Sequence, residues 1–424
     1  MQRNMKTFLK KLLNKEGLLL LVILVLAFTV RFYNFPDRIT FWSEQARSLV
    51  TSANYIKDKP SLLGQEYFRV ASNGHKIFSG AVFNYLLVPL LLVTNYDPVP
   101  ITAFFAILNI FTGLVVYWTA RKLFDERVAV FSVILFLFNN MMIYHSLFIW
   151  NYNLLPLVGI LTFYFLVVQN KKPDYKNIFI LGLLSGLGVS FQILYILIVP
   201  VVFIFGIWKS KKKFADTALF AVGLVIGNLP MILFDIRHNF YNFTALWQYM
   251  LDTFKGVSDA AFSYYYLLPF WPIVALLAGY LLSKVFKFNK YLSMVIVAIY
   301  LFLNLTSGKV SFKDSTGMPV GLTTSDISYA SQIIANDVKG NFNVAEVLDF
   351  DKRAYILRYY VRFKYGIKPL GEIEYNNPPV VYVLSQKGYN FETSDTWEIN
   401  AGGPYKISLL SDIGTGYGLY KLTK

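Results

Sequence analysis

The most constraining feature of this sequence is a run of apolar stretches, each near the length of a membrane-crossing helix, separated by short clusters of lysine and arginine. A bilayer core about 30 Å thick takes about 20 mostly apolar residues as a helix. Nine stretches fit: 16–33, 99–120, 128–146, 153–170, 177–192, 194–208, 214–234, 264–284 and 290–306. A tenth, 79–95, is short and interrupted by Asn84, Pro89 and Asn95. Composition points the same way, with 15% charged residues where a soluble domain has about 25%. No cysteine is present, which excludes disulfides, thiolate catalysis, thiolate zinc sites and iron–sulfur clusters.

Loop charge sets the orientation. Cytoplasmic loops carry the excess of Lys and Arg. The clusters are Arg3–Lys15, Arg121–Arg127, Lys171–Lys176, Lys209–Lys213 and Lys284–Lys290. All five fall on one side if 79–95 does not cross, so that stretch is expected to be an interfacial or re-entrant helix. The N-terminus is then cytoplasmic, and 34–98, 147–152, 235–263 and everything after 306 lie outside. The first outer loop is itself basic (Arg38, Arg47, Lys57, Lys59, Arg69, Lys76), against the trend, which suggests that its charges have work to do. The net charge of +15 sits in these clusters, the pattern of topology signals and anionic lipid contact rather than of nucleic-acid binding. Ala27-Phe28-Thr29-Val30-Arg31 lacks a small-x-small cleavage pattern, so the first span is expected to stay in place.

From Ser307 the hydropathy drops. A helix is expected over 325–338, capped by Thr324 or Ser325, with Ile327, Ala330, Ile334 and Val338 on one face. A strand at 343–349, a helix at 351–363 and short strands at 379–384, 405–410 and 417–422 complete a small α/β or α+β domain. The fold class is therefore a polytopic α-helical membrane protein of about nine spans, N-in and C-out. Its interfacial helices lie in the first outer loop, 1–306 forms the membrane domain and 307–424 an extracytoplasmic domain.

No Walker A, G-x-S-x-G, H-E-x-x-H or G-x-G-x-x-G pattern occurs, which leaves nucleotide-driven pumping and zinc proteolysis without support. The informative stretch follows the first span: Arg31-Phe32-Tyr33-Asn34-Phe35-Pro36, then Phe41-Trp42-Ser43-Glu44-Gln45-Ala46-Arg47. Residues 44–57 suit an interfacial amphipathic helix, with Leu49, Val50, Ala53, Tyr55 and Ile56 for its apolar side. Glu44 is a carboxylate among aromatics and arginines, placed to act as general base on a hydroxyl or simply to pair with Arg47 three residues on.

These residues resemble the GT-C-class glycosyltransferases of the bacterial type related to protein O-mannosyltransferases and lipid A aminoarabinose transferases. That family has an Arg closing its first span and an acidic residue in its first outer loop, here Arg31 and Glu44. Ala120-Arg121-Lys122-Leu123-Phe124, Trp150-Asn151-Tyr152-Asn153 with Pro156, Gln192 and Tyr195 before Pro200, Leu229-Pro230 and Phe234-Asp235-Ile236-Arg237-His238 resemble further family segments in the same order. Two departures stand out: the family usually has Asp at the position of Glu44, and the outer loop 147–152 here holds no second acidic residue. The resemblance therefore implies transfer without a paired-carboxylate metal site, and no cofactor beyond a lipid-linked sugar donor.

The reaction it implies moves a sugar from a polyprenyl-phosphate carrier to a glycan, lipid or protein acceptor at the outer face of the cytoplasmic membrane. Glu44 would deprotonate the acceptor hydroxyl for inverting attack. The departing phosphate needs cations, for which Arg31, Arg47, His75, Lys76, Arg237 and His238, with Asp235, form the donor-side set. Trp150, Asn151, Asn153, Gln192 and Tyr195 form the expected sugar cavity. A flippase for lipid-linked sugars fits less well, because no internal repeat is evident. A catalytically degenerate scaffold is the other alternative. Replacement of Glu44 by Gln separates both from an enzyme.

Overall fold

A computed structural model describes residues 15–256, 263–349, 351–371, 378–400 and 403–424. The chain begins with α1 (Lys15–Phe32), a one-turn helix α2 (Phe35–Arg38) and α3 (Ser43–Lys57). A hairpin β1 (Leu63–Val70) and β2 (Lys76–Gly80) leads into α4 (Val82–Val93). The membrane body continues as α5 (Pro98–Leu123), α6 (Glu126–Leu137), α7 (Asn140–His145), α8 (Leu155–Lys171), α9 (Tyr175–Phe191), α10 (Val199–Ile207), α11 (Lys213–Gly227), α12 (Leu229–Arg237), α13 (Tyr241–Phe254), α14 (Trp271–Phe288) and α15 (Lys290–Leu305).

Every stretch expected to span is helical. Among the described residues, three helical segments are long and apolar enough to cross a membrane by themselves, Pro98–Leu123, Asn151–Lys171 and Tyr264–Phe288. The first is α5; the other two are α8 and α14 with the short 3-10 turn that precedes each. Two expected spans are broken. The stretch 214–234 bends by 86° between α11 and α12, because Pro230 has no amide hydrogen to continue the ladder. The stretch 128–146 divides at Asn139, whose side-chain oxygen turns to cap α7 through the amides of Met141 (3.0 Å) and Met142 (3.3 Å). At 12 residues, α4 is about 18 Å long, well short of the hydrocarbon thickness. Bands of half-exposed apolar side chains on α1 (Leu18, Leu21, Val25, Phe28) and α15 (Val295, Ile299, Phe302) suit lipid rather than water.

The tightest helix pair is α9 with α11. A side chain at Gly182 would meet the Phe220 carbonyl at 2.1 Å, and one at Gly186 the Leu224 carbonyl at 2.2 Å. Gly223 and Gly227 face α9 in return, against the carbonyls of Phe179 (2.3 Å) and Leu183 (2.4 Å). Small residues four apart let two backbones touch where lipid supplies no hydrophobic drive. The matched order of these contacts makes the two helices parallel, so α10 runs back between them.

The C-terminal domain contains α16 (Thr324–Asp337), β3 (Asn343–Glu346), α17 (Tyr355–Tyr359) with a π turn to Lys364, β4 (Val380–Gln386), α18 (Trp397–Asn400), β5 (Lys406–Ile413) and β6 (Tyr417–Thr423). The cap of α16 is Thr323, one residue earlier than expected, in a reciprocal box with Asp326. The sheet order is β3-β4-β6-β5, with β3 and β4 parallel and the other neighbours antiparallel. This domain sits on the segment between α1 and α5. Tyr359 donates to the Tyr96 carbonyl at 2.7 Å, Arg362 pairs with Asp58 at 2.9 Å, and Phe41 packs edge-on against Tyr359 and Tyr360. Arg38 ties the end of α1 to the following linker through the carbonyls of Tyr33 (2.9 Å) and Ser311 (2.5 Å). Sandwiched between α4 and the C-terminal domain, α3 buries Ala46, Leu49 and Ala53 completely. It is an internal helix, not the interfacial one expected, because the C-terminal domain covers the face that would otherwise meet headgroups.

Candidate functional site

Glu44 lies in the first turn of α3, where it accepts a hydrogen bond from Gln65 of β1 at 3.0 Å and pairs with Arg47 at 3.6 Å. Its side chain keeps 41% of its exposure while that of Arg47 keeps 8%. The carboxylate is thus held from two sides yet open to a solute. The Arg47 guanidinium also donates to the Glu66 carbonyl at 2.6 Å and stands 5.9 Å from the Tyr355 ring of the C-terminal domain.

An aromatic wall adjoins this carboxylate. Burial raises the Tyr67 phenol to about 12; its hydrogen bond to Tyr152 opposes that, and the neighbouring Glu44 charge adds to it. Tyr152 packs 4.3 Å from Trp150, and both lie 5.0 Å from Tyr265. Beyond Trp150, His145 stacks nearly parallel at 5.8 Å, and Lys309 holds its ammonium 5.3 Å from the Tyr144 ring and 5.1 Å from Tyr264. Glu44 and Trp150 therefore share one lining, joined through Tyr67 and Tyr152.

The expected donor-side residues divide into three. Arg47 is at the site. His75, Lys76, Asp235 and His238 gather on the hairpin: His75 stacks on Tyr241 at 4.4 Å, the Lys76 amide donates to the Tyr241 hydroxyl at 3.1 Å, and Asp235 accepts from the amide of Asn242 at 2.8 Å. His238 stacks on Phe234 at 4.2 Å, and Arg237 beside it is exposed. Glu66 links this group to Glu44, since its side chain pairs with Lys76 at 3.2 Å while its carbonyl holds Arg47. Arg31 does not reach this lining. It is fully buried in the bundle, donating to the Ala27 carbonyl (3.1 Å), Asn109 (2.7 Å) and the Leu137 carbonyl (2.9 Å). A charge sealed among apolar helices must satisfy itself on nearby polar atoms, so Arg31 braces α1, α5 and α6.

The sugar-side set is likewise reduced. Asn151 spends its amide on the Phe191 carbonyl (2.5 Å), and Asn153 bonds both the Phe148 carbonyl and His145 at 2.8 Å. Tyr195 is buried with its hydroxyl 3.4 Å from Thr162. Gln192, also buried, leaves its amide nitrogen without a partner. Trp150 and Asn153 are half-buried, and of the two Trp150 stands in the stack of rings that forms the lining.

The sequence reading missed the acidic segment of the C-terminal domain. Asp349 accepts from Trp42 and from Ser43 (2.8 Å), the two residues before Glu44. Burial pushes the Glu346 carboxyl up to about 10, with the adjacent Asp349 adding to it, and its Oε2 accepts from the Leu348 amide at 2.8 Å. Burial opposes the charge on Asp349, but the neighbouring Glu346 carboxyl, the Asp351 amide, Ser43 and Trp42 together hold it below the ordinary carboxylate range. Lys309 and Tyr67 were missed too. None of these carries a local pattern; only the contact of segments some 300 residues apart reveals Asp349.

Set beside known proteins, residues 80–234 match the family described as dolichyl-phosphate-mannose-protein mannosyltransferase. No curated protein sequence matches the chain. The fold is that of ArnT from Cupriavidus metallidurans. Against that protein bound to undecaprenyl phosphate the TM-score is 0.64 at 13% identity, covering 95% of this chain and 97% of that one. Against its apo state the score is 0.53 at 12% identity, with the same coverage. The resemblance to GT-C-class membrane glycosyltransferases thus stands on both sequence family and fold.

Proposed function

We propose that the protein transfers a sugar from a polyprenyl-phosphate donor to an acceptor hydroxyl at the outer face of the membrane, with inversion and without a metal ion. The observation that carries this reading is the setting of Glu44, open to solute, held by Gln65 and Arg47, and backed by the wall of Tyr67, Tyr152 and Trp150. The similar fold of a protein that binds undecaprenyl phosphate supports the donor class.

In this mechanism the acceptor hydroxyl gives its proton to Glu44 as its oxygen attacks the anomeric carbon. The bond from that carbon to the phosphate oxygen breaks, and the electron pair leaves with the lipid phosphate. Such a leaving group is stabilised by fixed cations in a site shielded from water. Lys309 at the wall, and Lys76 with Arg237 on the hairpin side, are the cations with exposure to meet it. Arg47 is committed to Glu44 and Glu66 and orients the base. Trp150 offers a flat apolar face to a pyranose.

The test is Glu44→Gln in purified protein reconstituted with lipid-linked sugars, assayed by release of free polyprenyl phosphate. General-base loss predicts a fall of about 10²–10⁴-fold with membrane insertion unchanged. Product formation at the wild-type rate would remove Glu44 from the mechanism.

A further inference from the structure

The C-terminal domain holds a cavity that the proposed reaction does not use. Its volume is about 340 Å³ and its lining includes Asp351, Arg353, Thr396, Trp397 and Glu398. That lies at the lower end of small-molecule sites, ~300–1,000 Å³, and has room for a small saccharide. Trp397 is 49% exposed and supplies an apolar ring against which the C–H face of a pyranose can lie. Asp351 and Glu398 are buried acceptors at 4% and 7% exposure, and each carboxylate can receive two hydroxyls. Thr396 is 3% exposed, and its hydroxyl has no partner among the described residues. A buried hydroxyl left in that state costs ~1–3 kcal/mol, which a hydrogen-bonding guest in the cavity would recover. The carboxylates of Asp351, Asp395 and Glu398 are nearly offset by Lys352 and Arg353, which disfavours an anionic guest.

The cavity is coupled to the site. Asp351 accepts from the Tyr355 amide at 3.3 Å, the Tyr355 ring lies under Arg47, and Arg47 pairs with Glu44. Two residues earlier, Asp349 grips Trp42 and Ser43. We propose that this cavity binds a neutral saccharide belonging to the acceptor, so that the acceptor is a glycan or glycoconjugate, its sugar seated on Trp397 and its hydroxyl delivered toward Glu44. The word acceptor rests on the glycosyltransferase reading; the saccharide site does not.

Binding is tested on the full chain in lipid nanodiscs, because glycoside detergents carry the probe's own headgroup. The probes are methyl glycosides of glucose, galactose and mannose, with methyl glucuronide as the charged control, read by saturation-transfer difference NMR. At least one neutral glycoside is expected to bind, the glucuronide weakly or not at all. Trp397→Ala and Glu398→Gln should each weaken binding about tenfold, while Trp397→Phe retains it and fold is monitored by thermal melting. No signal from any neutral glycoside, equal binding of the glucuronide, or binding indifferent to both substitutions would overturn the proposal. Glu44→Gln should still bind the glycoside. If that variant both binds and transfers normally, the base assignment fails while the saccharide site stands.

Discussion

At the scale of single residues, the acids of the C-terminal domain do unequal work. Asp349 is charged and fully engaged, so it can fix Trp42 and Ser43 and with them the first turn that carries Glu44. Glu346 is completely buried and raised to about 10. Between the ordinary carboxylate range and about pH 10 the folded protein holds a proton there that the unfolded chain has released, so this group makes the domain less stable as pH rises. Asp351, raised by burial to about 6, acts in the same sense over a narrower window. Asp349, held low, adds stability that is lost only as pH falls through its folded value. Glu346→Gln keeps the size and polarity of the side chain and removes the proton linkage. The variant should melt higher than the parent, with a margin that widens from about pH 5 to about pH 9 by up to ~1.4 kcal/mol per pH unit. Thermal unfolding of the full chain in nanodiscs checks this, and parallel stability curves would show that Glu346 does not carry the proton.

Among the elements, what the sequence made legible follows from the physics of each pattern. The helices of the body were legible because each is a long apolar run of the kind that lipid demands, and α16 because its apolar face repeats with helical period. The hairpin of β1 and β2 did not, since Leu63–Val70 mixes Gln, Glu, Tyr and Arg without strict alternation. The break at Asn228 was written in Gly227-Asn228-Leu229-Pro230, but hydropathy reads across such a kink. The embedding of α3 and the seating of Asp349 depend on contacts that no local window contains. Glu44 and Trp150, expected by residue type, lie along one lining, whereas Asn151, Asn153 and Arg31, expected on the same ground, bond backbone carbonyls. The glycine faces of α9 and α11 allow a sharp test. Gly186→Ala and Gly223→Ala each put a methyl group against backbone, at 2.2 Å and 2.3 Å from a carbonyl oxygen. Each should force the pair apart at a cost of ~1–3 kcal/mol and lower the melting temperature measured by differential scanning fluorimetry. Gly256→Ala has open space beside it and tests the steric argument as a comparison, although its φ of +70° adds a separate backbone cost. Equal stability of Gly186→Ala, Gly223→Ala and the parent would show that the helices do not pack at backbone contact.

For the whole molecule, the arrangement that gives the site meaning is sidedness. Glu44, the aromatic wall and the C-terminal domain meet at one end of the helical body, through Trp42 to Asp349 and Arg47 to Tyr355. Lipid-linked donors suit that end if it faces outward, because nucleotide sugars are not available there. The lysine-rich turns between α8 and α9 and between α10 and α11 lie at the opposite end of their helices, on the side that the positive-inside rule assigns to the cytoplasm. The absence of cysteine makes the orientation directly measurable, since each introduced cysteine is the sole thiol in the chain. Ser408→Cys places one on exposed β5, and Ala215→Cys places one at the exposed start of α11 without removing a charge from the adjacent basic cluster. In spheroplasts, a membrane-impermeant maleimide should label Ser408→Cys at once and Ala215→Cys only after permeabilisation. The reverse pattern would put Glu44 in the cytoplasm, where a nucleotide-sugar donor becomes the natural substrate and the polyprenyl-phosphate mechanism loses its rationale. Labelling of both positions in sealed spheroplasts would mean that an odd number of crossings between them is wrong, and would reassign α11 and α12, bent by 86° at their junction, as a re-entrant pair rather than one crossing.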